Sequence, residues 1–232
     1  MRLARISVLA GSLLALGAGC GLAESLILKE SFNDLDPEVA GVVVGEGASW
    51  REFRKTETAP QISDQEFFSD SGEASGKSVR LTRADAVTMD FWLIGAWETT
   101  LESGRARVSF RILRDNSESG MSVHFGDAQK AIGVNTIGVS IGNRIGGEKL
   151  MVMNSDGAWQ DAGANPTVGT WAQIALEIDF TAMTYTVLLD GVPAAEAVPF
   201  KMTGPMQRIS FLPAAPVGNV SYIDDVEVTA LD

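Results

Sequence analysis

The chain has 232 residues, 45% hydrophobic and 21% charged, a globular balance with room for one large domain or two small ones. Thirty acidic against eighteen basic side chains give a formal charge of −12, which repels phosphate backbones and anionic lipid and argues against nucleic-acid or general membrane-surface binding. One cysteine, Cys20, and one histidine, His124, exclude a disulfide framework, a Cys/His zinc site and any Cys–His catalytic pair beyond these two.

Met1 to Ala23 read as an export signal. Arg2 and Arg5 precede an apolar run from Ile6 to Leu16 that is too short for a membrane span, and small residues follow. Gly21-Leu22-Ala23 suits cleavage before Glu24. Cys20, preceded by Leu16-Gly17-Ala18-Gly19, offers a lipoprotein alternative. Either route places the protein in the periplasm or outside the cell, with residues 24–232 as one domain.

Period-two alternation dominates that domain. It predicts strands over Leu26–Phe32, Val39–Val44, Ser78–Thr82, Thr88–Ile94, Ala106–Arg114, Met121–Gly126, Thr136–Ile141, Lys149–Asn154, Trp171–Phe180, Thr184–Leu189, Gln207–Leu212 and Val220–Val228. Asp115-Asn116, Gly146-Gly147, Asp156-Gly157 and Asp190-Gly191 supply turns between them. Gly45–Gly76 reads as a long loop with a short strand or two, and a helical turn fits Trp50–Lys55. Such spacing indicates an all-β, antiparallel two-sheet β-sandwich of the jelly-roll kind. Alternation turns Ala106, Val108, Phe110 and Ile112 inward and Arg107, Ser109 and Arg111 outward; Met121, Val123 and Phe125 face in, Ser122 and His124 out.

Two stretches carry a family resemblance. Trp171-Ala172-Gln173-Ile174-Ala175-Leu176-Glu177-Ile178-Asp179, followed by Thr184-Tyr185-Thr186-Val187-Leu188-Leu189-Asp190-Gly191, resembles the hairpin of laminin-G-like, concanavalin A-like jelly rolls. The closing Val220-Ser221-Tyr222-Ile223-Asp224-Asp225-Val226-Glu227-Val228 is similar to the last strand of such domains and of family four/nine-type carbohydrate-binding modules, in which an opening segment like Glu30-Ser31-Phe32 lies beside it. The resemblance implies a fold that hosts lectins, glycanases, lyases and adhesive modules.

Four groups of residues could carry chemistry. Glu30 falls on the parity of Leu26, Leu28 and Phe32, and Asp224 on that of Val220, Tyr222, Val226 and Val228. Two inward carboxylates on neighbouring strands are costly unless neutralised. Calcium, completed by loop carbonyls or by Asp34 and Asp36, would neutralise them, and the resemblance to calcium-bearing jelly rolls agrees. A bulge that turns one carboxylate outward, or backbone amides bonded to it, would serve as well. Glu177-Ile178-Asp179 resembles part of the laminarinase E-x-D-x-x-E motif, but Thr181, Ala182 and Met183 follow and the acid carboxylate is missing.

The third group is a polar strand face. Arg105, Arg107, Ser109 and Arg111 share a parity, as do Ser122 with His124 and Asp90 with Trp92. On neighbouring strands they would form one cationic face able to grip uronate or sulfate while Trp92 stacks on a sugar. An arginine ladder paired with Asp and Glu is the structural alternative. Lastly, Trp159 follows the loop Asn154-Ser155-Asp156-Gly157-Ala158, and either presents an indole to a sugar or caps the sandwich.

The expected protein is therefore an exported, non-catalytic sandwich binding a polysaccharide, anionic where the arginines grip it, or another envelope or matrix partner, through Trp92, Arg107, Arg111, His124 and Trp159. The alternatives are a polysaccharide-active enzyme, lyase before hydrolase, using the Arg107/Arg111/His124 face, and a structural or adhesive envelope subunit.

Overall fold

The computed structural model describes residues 24–33, 49–54, 61–63, 78–82, 91–130, 135–143, 145, 147–213 and 219–231, with the side chains of 49–54, 61–63, 91 and 92 left out. The expected leader, the strand Val39–Val44, Asp34, Asp36 and Asp90 lie outside the described residues. The strands are β1 (Glu24–Glu30), β2 (Ser49–Arg54), β3 (Gln61–Ser63), β4 (Ser78–Thr82) and β5 (Phe91–Leu101). Then come β6 (Arg105–Arg114), β7 (Gly120–Gly126), β8 (Ile137–Gly142), β9 (Met151–Met153) and β10 (Trp159–Asp161). β11 (Ala172–Asp179), β12 (Thr184–Leu189), β13 (Val192–Pro199), β14 (Met206–Pro213) and β15 (Val220–Leu231) complete the order. None of the described residues is helical, and no described segment forms a helix able to cross a membrane.

All pairings are antiparallel and fall into two sheets. An eight-stranded sheet runs β13-β12-β11-β6-β15-β4-β3, with β1 also paired to β15; a seven-stranded sheet runs β10-β9-β8-β7-β14-β5-β2. The protein is thus an all-β, two-sheet antiparallel sandwich, as the alternation predicts. The helical turn expected over Trp50–Lys55 is corrected: Ser49–Arg54 is β2, laddered onto β5 from Ser49↔Ala96 to Arg54↔Phe91. A neighbouring strand offers that segment a full ladder of backbone partners, which outweighs a weak local preference for a turn. β10 and β13 are unpredicted strands at sheet edges; Pro193 and Pro199 mask β13 in the sequence but are tolerated where one edge has no partner among the described residues.

The core is made by the inward halves of both alternations. Ala106, Val108, Phe110 and Ile112 of β6 and Ile174, Leu176 and Ile178 of β11 pack against Val123, Phe125, Val139, Ile141 and Phe211 of the other sheet. Phe110 and Phe211 meet edge to face at 5.3 Å across the interface. Tyr185 of β12 is buried and crosses the sandwich, its hydroxyl 2.8 Å from the Met153 carbonyl and 3.3 Å from that of Gly138. Burial raises its phenol above the ordinary tyrosine range, so it stays a donor.

One end of the sandwich is organised by Arg114, the last residue of β6 and 2% exposed. Its guanidinium donates to the carbonyls of Ser119 (2.9 Å), Pro166 (3.1 Å) and Ser117 (2.8 Å) and to Glu148 Oε1 (3.0 Å). Three loops therefore close on one side chain. Gly142, at φ 77°, allows the approach: a Cβ there would stand 2.8 Å from Arg114 Nε. Arg114→Ala strands those carbonyls, and urea denaturation should show a loss of about 3 kcal/mol. Glu148→Gln, altering a half-exposed partner, should cost under about 1 kcal/mol.

Candidate functional site

The sandwich has two outward faces, and the predicted residues divide between them. Arg107 and Arg111 lie on β6 of the eight-stranded sheet, alternating with core residues Val108 and Phe110. His124 lies on β7 of the seven-stranded sheet, alternating with core residues Val123 and Phe125. The strands carrying Arg107/Arg111 and His124 are not neighbours, and their outward residues point to opposite sides of the molecule. The single face expected to combine Arg107, Arg111 and His124 does not exist. Alternation distinguishes inside from outside but cannot say which sheet a strand joins.

On the eight-stranded face, charge meets countercharge. Arg107 stands opposite Glu177, and Arg105 opposite Asp179, in the β6–β11 register. Lys29 Nζ lies 3.3 Å from Glu227, and Arg111 Nη1 lies 3.7 Å from Asp225 while its guanidinium sits 5.6 Å from the Trp171 ring centroid. Asp179 also accepts the amides of Thr181 (2.8 Å) and Ala182 (2.7 Å), so it holds its own turn together. An open depression of about 430 Å³ between Lys29, Glu30, Ser109, Gln173, Asp225 and Glu227 carries both signs of charge.

The terminal strands do lie side by side, β1 on β15 from Glu24↔Leu231 to Glu30↔Val226. The inward parity assigned to Asp224 is nevertheless corrected. The β15–β6 register slips between Asp224 and Glu227, and Asp225 has φ 46°. That β-bulge inserts one residue, so Ile223 and Val226 both join the core while Val220, Tyr222 and Asp224 share the opposite face with Leu113 and Trp171. A second slip, between Leu26 and Leu28, turns Leu26 outward, where it is 59% exposed, and leaves Ile27 and Leu28 against the core.

Asp224 is only 4% exposed. Burial, followed by the charge of Asp225, pushes its carboxyl from 3.8 to about 7, against the lowering effects of the Asp225 amide (2.7 Å) and the Arg111 charge. Glu30 Oε1 accepts the Phe32 amide at 2.8 Å. Backbone amides thus already engage both carboxylates expected to bind calcium. Among the described residues, no three acidic, imidazole or thiol side chains gather as ion ligands. Asp34 and Asp36, the carboxylates expected to complete a calcium shell, lie outside the described residues. The folded chain holds the Asp224 proton more tightly than the unfolded chain does. That stabilisation is complete below about pH 4 and fades as pH rises through 7. The melting temperature should fall between pH 5 and 8, and Asp224→Asn should flatten the fall.

The seven-stranded face is different in kind. His124, 8% exposed, stands between Gly138 of β8 and Ser210 of β14. The ring of Trp159, the first residue of edge strand β10, meets it edge to face at 5.9 Å and 81°. Gly138 makes room for this contact: a Cβ there would lie 3.0 Å from Trp159 Cη2 and 3.2 Å from His124 Nδ1. Trp159 is half-buried, and the neighbouring Gln160 and Asp161 are exposed, so the contact sits at an accessible margin. Lys149 pairs with Asp161 and holds its carboxyl below the usual range, helped by the Gly163 amide. Trp92 belongs to β5 of the same sheet, but its side chain is outside those described. The structure thus brings His124 and Trp159 together and keeps both apart from Arg107 and Arg111. Gly138→Ala should push the indole off the imidazole, changing the near-ultraviolet tryptophan dichroism while lowering stability by about 1 kcal/mol.

No protein-family model matches the sequence, and no curated protein matches it. Solved structures do match in fold. A sialidase superposes with a TM-score of 0.58 at 10% identity over 88% of this chain and 18% of its own. Domain 4 of an extracellular GH43 arabinanase from Geobacillus stearothermophilus, solved with arabinotriose, gives 0.55 at 14% over 90% and 93%. The catalytic domain of a glycoside hydrolase family 131 protein from Coprinopsis cinerea gives 0.58 at 16% over 88% and 93%. At such identities the likeness is one of fold. The chain spans under a fifth of the sialidase and nearly all of the other two domains.

Proposed function

We propose that the protein is a non-catalytic carbohydrate-binding sandwich acting outside the cytoplasm, with Met1–Ala23 as its export signal and the accessible margin of the seven-stranded sheet at Trp159 as its binding site. The observation that carries this reading is the seating of Trp159 on His124 at an accessible margin of that face, an indole beside hydrogen-bonding side chains. Sugar recognition needs that combination, because pyranose and furanose rings present C–H surface to an aromatic ring and hydroxyls to polar groups. The shared fold supports it, since one of the similar domains is solved with arabinotriose.

Catalysis is the weaker reading. Glycoside hydrolysis needs two carboxyl groups flanking one bond. Among the described residues, the carboxylate on this face beside Trp159 is Asp161, already paired with Lys149. Uronate elimination through Arg107, Arg111 and His124 loses its basis once those residues are on opposite faces. Glycan-array retention of the full protein tests the proposal. Trp159→Ala should abolish retention, while the double substitution Arg107→Ala, Arg111→Ala should preserve it. Equal retention by Trp159→Ala overturns the assignment of the face.

A further inference from the structure

We infer that Asp161 and Lys149 form the polar half of the site at Trp159 and take a neutral sugar ring with two adjacent free hydroxyls; this rests on the carbohydrate reading of that margin. Along edge strand β10, Trp159 and Asp161 stand two residues apart, so their side chains leave the strand on the same side, starting about 7 Å apart. Their cross-strand partners on β9 are Met153 and Met151, which alternate with the core residue Val152. That side is therefore the outward one. Lys149, two residues before Met151, reaches Asp161 from the β9 side.

These three side chains are accessible. Trp159 is half-buried, and both members of the ion pair are about half-exposed. His124, by contrast, is buried, so it supports the indole from behind and leaves the polar contacts of a ligand to the pair. The pair is also held in place. Beyond it the β9–β10 pairing continues, from the Ala162 amide to the Leu150 carbonyl (2.8 Å) and from the Leu150 amide to the Gly163 carbonyl (3.2 Å). On the other side, Asn154 Oδ1 accepts the amides of Asp156 (3.0 Å) and Ala158 (2.9 Å), which fixes the turn leading into Trp159. Groups fixed before a ligand arrives lose less freedom on binding.

The carboxylate is prepared for hydroxyls. Its Oδ1 accepts the Gly163 amide at 2.8 Å and its Oδ2 accepts Lys149. A carboxylate offers about four acceptor positions, so each oxygen keeps one open. The Lys149 bond, and then the Gly163 amide, hold the carboxyl below its usual range, so it stays an acceptor at neutral pH. Two oxygens on one carbon match two hydroxyls on neighbouring carbons, and bonds to an ionised acceptor are the stronger kind. Lys149 has donors beyond the one given to Asp161 and can meet the oxygen of either hydroxyl. Charge selects the class of ligand. Asp161 already neutralises Lys149, and the chain carries −12, so a uronate or sulfate meets repulsion without a cation in return. Exposed ion pairs add little to stability, so folding alone gives this one little purpose.

The test is retention of the full protein on linear arabinan, xylan and mannan, whose chain rings carry free hydroxyls on two neighbouring carbons. Curdlan, a linear glucan whose internal rings carry no such pair, and anionic alginate are the contrasts. The parent should be retained on at least one of the first three and on neither contrast. On that glycan Asp161→Asn and Lys149→Gln should each bind about tenfold more weakly. Their melting temperatures should match the parent's, because the pair is exposed. If both variants bind like the parent while Trp159→Ala does not bind, the pair is overturned and the carbohydrate reading stands. Weaker binding with a lower melting temperature would show a pair that only holds the edge strand, which also overturns it. Retention on curdlan equal to that on the other glycans overturns the paired hydroxyls, and retention on alginate overturns the neutral class. A parent that binds none of the five removes the carbohydrate reading and the pair with it.

Discussion

Strand β15 must serve two partners along one edge, and the extra residue at Asp225 makes this possible. One edge borders β6 along nearly its whole length; the other meets β4 through Val220–Ile223 and β1 through Val226–Leu231. Side chains alternate with a period of two, so a regular strand could not send Ile223, Val226 and Val228 all to the core. The bulge adds one residue at the change of partner and restores the inward face on both sides of it. The first and last strands of the sandwich join there, and the position of Asp224 follows: it is displaced outward, yet lies beneath neighbours that keep it from water.

The two outward faces then develop different chemistry. The eight-stranded face sets arginine and lysine opposite glutamate and aspartate, pairs worth at most about 1 kcal/mol each at an exposed surface. Such a face favours solubility and offers an anionic ligand little net charge. The seven-stranded face instead buries hydroxyls and the guanidinium of Arg208 beside one imidazole and one indole.

The fold class was readable because core strands such as β6, β7 and β11 keep strict alternation over seven to ten residues. The bulges were not, since an inserted residue leaves no mark in composition and Asp225 looks like any other strand carboxylate. Edge strand β13 hides behind its prolines, and three-residue β10 is too short to show a period. His124 and Trp159 were legible as separate candidates, but their contact depends on Gly138, fourteen residues from His124 and twenty-one from Trp159 and on the strand of neither, and only the register reveals it. What could not be seen was that Arg107 and Arg111 belong to the other layer from His124.

Tyr185 links these layers. Its ring starts on the eight-stranded sheet, and its hydroxyl ends on the Met153 and Gly138 carbonyls, the two strand positions that flank Trp159. The floor under the indole is therefore braced from behind by a strut through the interior. The layers cannot slide past one another without breaking those bonds, so whatever presses on the indole meets a stiff support rather than a yielding one. Rigidity of that kind favours recognition by fit over recognition by adjustment, because little mobility is left to be lost when a guest arrives.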